Sequence, residues 1–240
     1  MKGAVALAAL ALLPLLGSCD APWSDDSDRA ATAREFPPAD RPVATTVSTK
    51  WSTEEARDRV NEAEDVMNSA DVRPGMTVAD IGAGDGYYTV RLAQRVGAGG
   101  RVLAQDIMPE VIERLADRVA RERLDNVSLK LGAVDDPRLP AASFDRIFMV
   151  HMYHEIGEPY AFLWRLRPAL RKGGQVIVVD GDRPIAQHGT PFRLLVCEFE
   201  AVGYKLVSYD DKQHAGGYLA RFVPSGKRPD AGAITVCDNP

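Results

Sequence analysis

The sequence predicts an α/β fold, a doubly wound sheet of seven strands that is mostly parallel with a terminal antiparallel strand. Apolar segments of strand length alternate with segments of helical period from residue 52 onward, which is typical of successive β-α-β units with right-handed crossovers. Residues 175–180 are almost continuously apolar, as in a parallel strand buried on both faces. No internal repeat is present, so we expect one domain over residues 52–224.

The strands are predicted from their apolar or alternating character and from the turn residues between them. The last two alternate between apolar and polar residues, which favours a terminal antiparallel pair. In chain order the predicted strands are 76–81, 101–106, 127–131, 144–150, 175–180, 204–210 and 217–223.

The helices are predicted from apolar residues at helical spacing and from their end signals. Ser52 with Glu55 forms a capping box at the start of the first helix. Gly97 ends the helix that begins at Gly86, and Pro109 opens the next one. Further helices are expected over residues 158–170 and 190–202.

The first nineteen residues have the pattern of an export signal. Met1 and Lys2 give a short positive end, and residues 3–17 are almost wholly apolar but too short for a permanent membrane span. The sequence then reads Leu-Gly-Ser-Cys, which resembles a bacterial lipobox and predicts lipidation at Cys19. We therefore expect a lipid-anchored protein of the cell envelope that faces the periplasm. The alternatives are an uncleaved anchor or a misassigned start codon, and a cytoplasmic protein if the leader is not processed.

Residues 20–51 and 225–240 carry little that can pack, so the first is predicted to be a disordered tether and the second a loose tail. Cys197 and Cys237 either pair in an oxidising compartment or remain one buried thiol and one tail thiol. The unpaired state is the favoured interpretation. No cysteine spacing indicates a metal site.

The charge distribution gives no sign of a nucleic-acid partner. The net charge is −5, and the basic residues are scattered, mostly beside acids.

A glycine-rich loop follows the first strand. Gly82, Gly84 and Gly86 allow a sharp turn and a close approach of the backbone to a ligand. Tyr87 stands where the dinucleotide fingerprint requires a third glycine, which argues against a pyrophosphate ligand. Asp80, just before the loop, suits the cationic amino end of an amino-acid-like ligand.

Later motifs narrow the choice of ligand. Asp106 ends the second strand, where an acid can accept hydrogen bonds from both ribose hydroxyls. The segments VADIGAGDGYYT, LGAVDDPRLP, FDRIFMVHMYHE and LRKGGQVIVVD, in this order, resemble the motifs of class I S-adenosylmethionine (AdoMet)-dependent methyltransferases. The resemblance covers roughly residues 66–223 and implies a Rossmann-like fold with AdoMet as the cofactor. It implies cofactor contacts at Asp80, Gly82, Ala83, Gly84, Gly86, Tyr88, Asp106, Ile107, Ala133, Val134, Asp135 and His151.

The adenine segment departs from the pattern of that family. Many relatives have an acid directly after the glycine that ends the third strand, but Gly132 is followed by Ala133 and Val134. We expect the adenine contact to shift to Asp135 or to backbone groups.

The acceptor side is predicted at the segment after the fourth strand, because the carboxyl ends of the strands form the ligand crevice. Tyr153, His154 and Glu155 are the expected substrate residues, with His154 as a catalytic general base. Two alternatives stay open: His151 packs near the cofactor while Glu155 caps a turn, or methyl transfer proceeds by proximity alone.

Other candidates have a weaker basis. Tyr153, Tyr160 and Trp164 are possible walls of an apolar acceptor pocket, although the helical spacing of Trp164 favours the core. Residues 180–183 either touch the substrate or only shape a loop. His188 and His214 are interpreted as surface residues.

The leading hypothesis is a methyltransferase that acts on a small-molecule acceptor, since HMYH is not the Asn/Asp-Pro-Pro-Tyr/Phe motif of nucleic-acid methyltransferases. An exported protein meets little AdoMet, so the alternative is an envelope-anchored binding or scaffold protein that keeps the fold without the activity. An aminopropyl transferase is a third, weaker option.

Overall fold

The computed structural model describes residues 28–46 and 52–238. It contains one seven-stranded sheet in the order β3-β2-β1-β4-β5-β7-β6. Every neighbouring pair is parallel except those of β7, which runs antiparallel to both β5 and β6. The predicted Rossmann-like sheet is therefore confirmed. The strands are β1 Thr77–Ile81, β2 Arg101–Asp106, β3 Val127–Leu131, β4 Phe144–Val150, β5 Leu170–Asp180, β6 Tyr204–Lys212 and β7 Gly217–Pro224.

The strand order reverses between β1 and β4, because the chain continues from β1 to β2 on one side and from β4 to β5 on the other. Such a switch point opens a crevice in a doubly wound sheet, because the following connections cross on different faces. The helices that cover the two faces are α1 Glu54–Arg59, α2 Glu62–Ser69, α3 Tyr87–Val96, α4 Pro109–Arg121, α5 Pro159–Leu166 and α6 Phe192–Ala201.

Two details of the helices differ from expectation. The N-cap of α1 is Thr53, whose Oγ1 accepts from the amide of Ala56, so the predicted capping box at Ser52 is wrong. The helix predicted to extend to residue 170 ends at Leu166 and continues as a single 3-10 turn. Pro168 lies in that turn and cannot donate a helical hydrogen bond.

Each face of the sheet packs against its own apolar cluster. One cluster joins α5 and α6 to β4, β5 and β7 through large side chains such as Phe144, Tyr160 and Phe199. The other joins α2 and α3 to β1 and includes Val66, Leu92 and Phe148. The helices on both faces thus hold the sheet, and with it the crevice at β1 and β4, in place.

Residues 28–46, which we call the N-terminal strap, pack against the domain. Ala33, Phe36 and Ala44 are buried, and Arg29 forms a bidentate ion pair with Glu158 at 2.7 Å. The prediction of a disordered tether over residues 20–51 is wrong for this part, since a few small apolar residues and one aromatic ring suffice to anchor it. The other residues of the predicted tether, and the predicted signal peptide, lie outside the described residues.

The C-terminal segment is also held. Cys197 of α6 and Cys237 form a disulfide, and Ile234 and Cys237 are buried. The indole Nε1 of Trp164 donates to the carbonyl of Pro229 at 2.8 Å. The predictions of unpaired cysteines and of a loose tail are therefore wrong. The contacts that fix this segment join residues distant in sequence, so no local pattern indicated them. In the part of the chain that the structure describes, no helix is long and apolar enough to cross a membrane.

Candidate active site

A cavity of about 950 Å³ opens at the carboxyl ends of the central strands. Its volume lies near the upper end of the range for small-molecule sites, roughly 300–1,000 Å³, so a nucleotide-sized cofactor fits together with a second small molecule. Most of the residues predicted for the site line it: Gly82, Ala83, Gly84, Asp106, Ile107, Ala133, Val134, His151, His154 and Glu155.

The glycine loop and Asp106 form one wall of the cavity. Gly82, Gly84 and Gly86 have φ values of 65°, 54° and 88°, which other residues rarely adopt. A Cβ on Gly86 would lie 2.5 Å from Leu115 Cδ1, so this position requires glycine for packing, and it does not line the cavity. The carboxylate of Asp106 accepts from the amides of Gly84 and Met108, both at 3.1 Å, and is thereby fixed at the cavity wall.

Asp80 does not line the cavity. Its carboxylate is buried beneath the loop and accepts a hydrogen bond from Thr89 Oγ1 at 2.6 Å. Burial raises the pKa of Asp80 to about 6 despite this hydrogen bond. In this structure Asp80 links β1 to α3, and a contact with a cofactor amino group stays a prediction.

Of the two adjacent tyrosines, the structure places Tyr87 and not Tyr88 at the cavity. Tyr88 is buried, and its hydroxyl donates to Glu62 at 3.1 Å. The ring of Tyr87 lies between the guanidinium groups of Arg57 and Arg91, each 3.8 Å from its centroid. At the start of a helix, helical spacing predicts the buried residue only to within one position. The sequence therefore could not decide which of the two tyrosines faces the cavity.

His151 also lines the cavity and contacts Glu62, the residue that binds the hydroxyl of Tyr88. Its φ is +54°, and its amide donates to the carbonyl of Val179 at 2.8 Å, which turns the chain sharply after β4. Its Nε2 lies 3.5 Å from Oε1 of Glu62. Burial would raise the pKa of Glu62, but the contact with His151 and the hydrogen bonds from Arg57 outweigh it and lower the pKa to about 2.

The adenine segment is built differently from the prediction for Asp135. Ala133 and Val134 line the cavity, whereas Asp135 is turned away and buried. Its carboxylate accepts from Arg165 and from the hydroxyl of Thr32 in the strap. Asp135 therefore fastens the strap, and this wall of the cavity is apolar.

The strongest chemical feature is a buried pair formed by His154 and Asp180. Nδ1 of His154 lies 3.0 and 3.1 Å from the two carboxylate oxygens of Asp180, and because a carboxylate only accepts, Nδ1 carries the proton. Asp180 is fixed in turn by the amide of Gly181 and by Thr190 Oγ1, both at 2.8 Å. His154 lines the cavity, so its ring is oriented with Nε2 left as the proton acceptor.

Two further residues lie at the acceptor side, and one of them, His188, was missed. His188, interpreted as a surface residue, lines the cavity with its ring centroid 5.7 Å from that of His154. Among the described residues its buried Nδ1 has no hydrogen-bond partner. Arg183 also lines the cavity and donates to the carbonyls of Gln187 and His188. Arg183 belongs to residues 180–183, for which both a substrate contact and a loop-shaping role were left open, and here it lines the cavity and holds its own loop.

The predicted aromatic walls lie elsewhere. The hydroxyl of Tyr153 donates to Glu198 at 2.7 Å, and the hydroxyl of Tyr160 accepts from the amide of Cys237 at 2.7 Å. Trp164 packs against Phe36 and Pro229, and none of the three lines the cavity. Phe162 of α5 is the aromatic residue of that helix that does. His214, as expected, is partly exposed and binds Asp65.

The cavity fits AdoMet by its residues. Asp106 presents a fixed carboxylate where ribose hydroxyls can donate, and Gly82 leaves no room for a Cβ, which would lie 3.0 Å from Met152. Gln105 lines the cavity, and its buried Nε2 has no partner among the described residues, so a donor is available to a ligand. Within the same residues no cluster of His, Cys, Asp or Glu could hold a metal ion.

Comparison with known proteins gives a consistent result. A relative from Methanothrix thermoacetophila, a protein-L-isoaspartate O-methyltransferase, is 33% identical over 47% of this chain and 50% of its own length. Nocamycin O-methyltransferase of Saccharothrix syringae is 39% identical over 35% of this chain and 30% of its own. The chain thus spans at most half the length of these two relatives.

A solved structure, a SAM-dependent methyltransferase from Aquifex aeolicus, superposes with a TM-score of 0.63 at 24% identity. The superposition covers 70% of this chain and 90% of that one, and it shows a shared fold. Residues 78–174 match the family model of a methyltransferase domain. This segment contains the glycine loop, Asp106 and His154, so the part of the chain that is similar to methyltransferase domains includes both sides of the cavity.

Proposed function

We propose that the protein transfers the methyl group of AdoMet to an oxygen or nitrogen atom of a small-molecule acceptor, with His154 as the general base. The observation that carries the proposal is the His154–Asp180 pair at the cavity wall. The pair lies at the carboxyl ends of β4 and β5, on the opposite side of the crevice from Asp106. A cofactor site and an oriented base therefore face one cavity.

In this proposal each member of the pair has its own role. When bound, AdoMet supplies the methyl group on a sulfonium, which needs no activation beyond alignment with the acceptor. Nε2 of His154 receives the acceptor's proton as the acceptor atom forms its bond to carbon. Asp180 holds the ring and stabilises the imidazolium that results, and Thr190 holds Asp180. The carbon–sulfur bond breaks, and the sulfur keeps that electron pair.

The acceptor side of the cavity supports a small molecule with both apolar and polar parts. Val43, Ile156 and Phe162 offer apolar contacts, whereas Arg183 and His188 offer donors beside His154. No observation on the described residues favours the scaffold alternative, since the cavity, the fixed carboxylate and the base are all in place.

Asp106 provides the first test of the cofactor site. In Asp106→Asn the acceptor for two ribose hydroxyls is weakened, so we expect AdoMet to bind about 10- to 100-fold more weakly, as for a lost hydrogen bond to a charged group. Calorimetric titration of the wild type and of Asp106→Asn measures this, with Asp136→Asn as the control because Asp136 does not line the cavity. No binding to the wild type at millimolar AdoMet would contradict the proposed function.

We also propose that the protein is exported and anchored at the envelope through Cys19. The Cys197–Cys237 disulfide supports an oxidising compartment, since such bonds are rare in the cytosol. Cys19→Ser is expected to move the protein from the membrane to the soluble fraction, as read by fractionation and immunoblotting. If the wild-type protein is found in the cytosolic fraction, export is refuted. The objection that an exported protein meets little AdoMet then no longer applies.

A further inference from the structure

Arg41 of the N-terminal strap is a buried cation that reaches the segment around His154. Its side chain is 1% exposed, and its Nε donates to Glu198 Oε1 at 2.7 Å. Its Nη2 donates to the carbonyl of Ile156 at 2.9 Å, and the guanidinium lies 5.5 Å from the ring centroid of Tyr153. Arg41 thus contacts residues on both sides of His154.

The turn that carries His154 is held by the strap at several points. His154 belongs to a 3-10 turn, Tyr153–Glu155, which leads into Ile156. The carbonyl of His154 itself accepts from the amide of Ala44 at 3.0 Å. The hydroxyl of Tyr153 donates to Glu198 Oε2 at 2.7 Å, so the partner of Arg41 also holds the turn. Asp180 fixes the ring of His154, and the strap fixes its backbone.

We propose that Arg41 is a positioning residue for methyl transfer: it joins the strap to the His154 turn and keeps Nε2 of the base at the acceptor. The inference rests on the proposed role of His154. The strap also contributes Asp28, Arg29, Ala30, Val43 and Thr46 to the cavity wall, so the element that positions the base also closes the acceptor side.

The choice of an arginine follows from the two acceptors it serves. A guanidinium donates in two directions from a planar fork, whereas an ammonium on a flexible chain cannot match both directions. A buried ion pair is poor evidence for stability, because desolvation of both charges offsets their attraction. Burial also raises the pKa of Glu198, and Arg41 and Tyr153 counter this only in part. Placement of the turn is the function that this costly pair fulfils.

The test uses the full-length chain and a variant that leaves no buried charge. Arg41→Met combined with Glu198→Gln removes the guanidinium and keeps an acceptor for the Tyr153 hydroxyl. The control is Thr32→Val, which releases another fastening of the strap, at Asp135, without touching the His154 turn. Each protein is incubated with AdoMet that carries a tritiated methyl group and with a small-molecule extract. The labelled product that requires His154 is identified, and its rate of formation is compared between the variants.

We expect the double variant to lose roughly 10- to 100-fold in kcat, as for a misplaced catalytic group, with AdoMet affinity within about threefold of the wild type. Arg41→Lys should retain intermediate activity, and Thr32→Val should resemble the wild type. Amide exchange at Ala44, followed by NMR, should accelerate in the double variant without any acceptor being present.

Each result bears on one proposal. A wild type with no His154-dependent product overturns the proposed function and the role of Arg41 with it. Product formation with unchanged kcat in the double variant overturns only the role of Arg41, as does unchanged exchange at Ala44. A parallel loss of AdoMet binding would show that Arg41 serves the fold as a whole and would equally overturn it.

Discussion

Replacing His154 with Gln is expected to lower kcat for methyl transfer by roughly 10²- to 10⁴-fold, the usual contribution of a general base. Gln keeps a donor for the buried carboxylate of Asp180, whose two oxygens lie about 3 Å from Nδ1 of His154, so the fold is retained. AdoMet affinity should stay within about threefold, because the glycine loop and Asp106 lie on the other side of the crevice. Reaction rates at saturating AdoMet measure kcat, and calorimetric titration measures the affinity for AdoMet.

Asp180→Asn separates orientation of the base from its presence. An Asn at this position can turn its amide toward Nδ1, which then no longer carries the proton, and Nε2 becomes a donor. The variant should lose about as much activity as His154→Gln, although the ring of His154 stays in place. His214→Gln is the matched control, since His214 is partly exposed and binds Asp65 far from the cavity. If His154→Gln keeps wild-type kcat, methyl transfer proceeds by proximity alone.

The cofactor side of the cavity was predictable because its signals are local. Gly82 and Gly84 require a backbone conformation that sequence alone indicates, and Asp106 follows from its place at the end of a strand. Local sequence signals fail where contacts with residues distant in sequence decide the orientation of a side chain. Asp135 was expected to face adenine, but Arg165 and Thr32 draw its carboxylate away from the cavity.

The acceptor side was only partly predictable because it is assembled from distant segments. Arg29 meets Glu158 across 129 residues, and Arg41 meets Glu198 across 157 residues, distances at which no periodicity gives a signal. The pairing of His154 with Asp180 had a usable signal, because His154 follows β4 and Asp180 ends β5, its parallel neighbour. The composition of residues 20–51 is poor in apolar side chains, yet Phe36 and the ion pairs of Arg29 and Arg41 anchor a strap there.

Replacing Cys197 and Cys237 together with Ser is expected to lower the free energy of unfolding by about 4 kcal/mol, the chain-entropy value for a loop of this length. The bond spans 40 residues and joins α6 to the C-terminal segment. Urea unfolding of the oxidised wild type, the reduced wild type and the double variant measures the difference, and the last two should coincide. A difference under about 1 kcal/mol would contradict the expectation.

The disulfide should matter for the acceptor side as well as for stability. Cys237 packs with Ala44 of the strap and with Ile185 of the loop that carries Arg183 and His188. Reduction removes the constraint that holds these two segments together, and Ala44 is the residue whose amide binds the carbonyl of His154. We therefore expect the reduced protein to lose more in kcat than in AdoMet affinity. Equal loss of both would show that the disulfide stabilises the domain without any preference for the acceptor side.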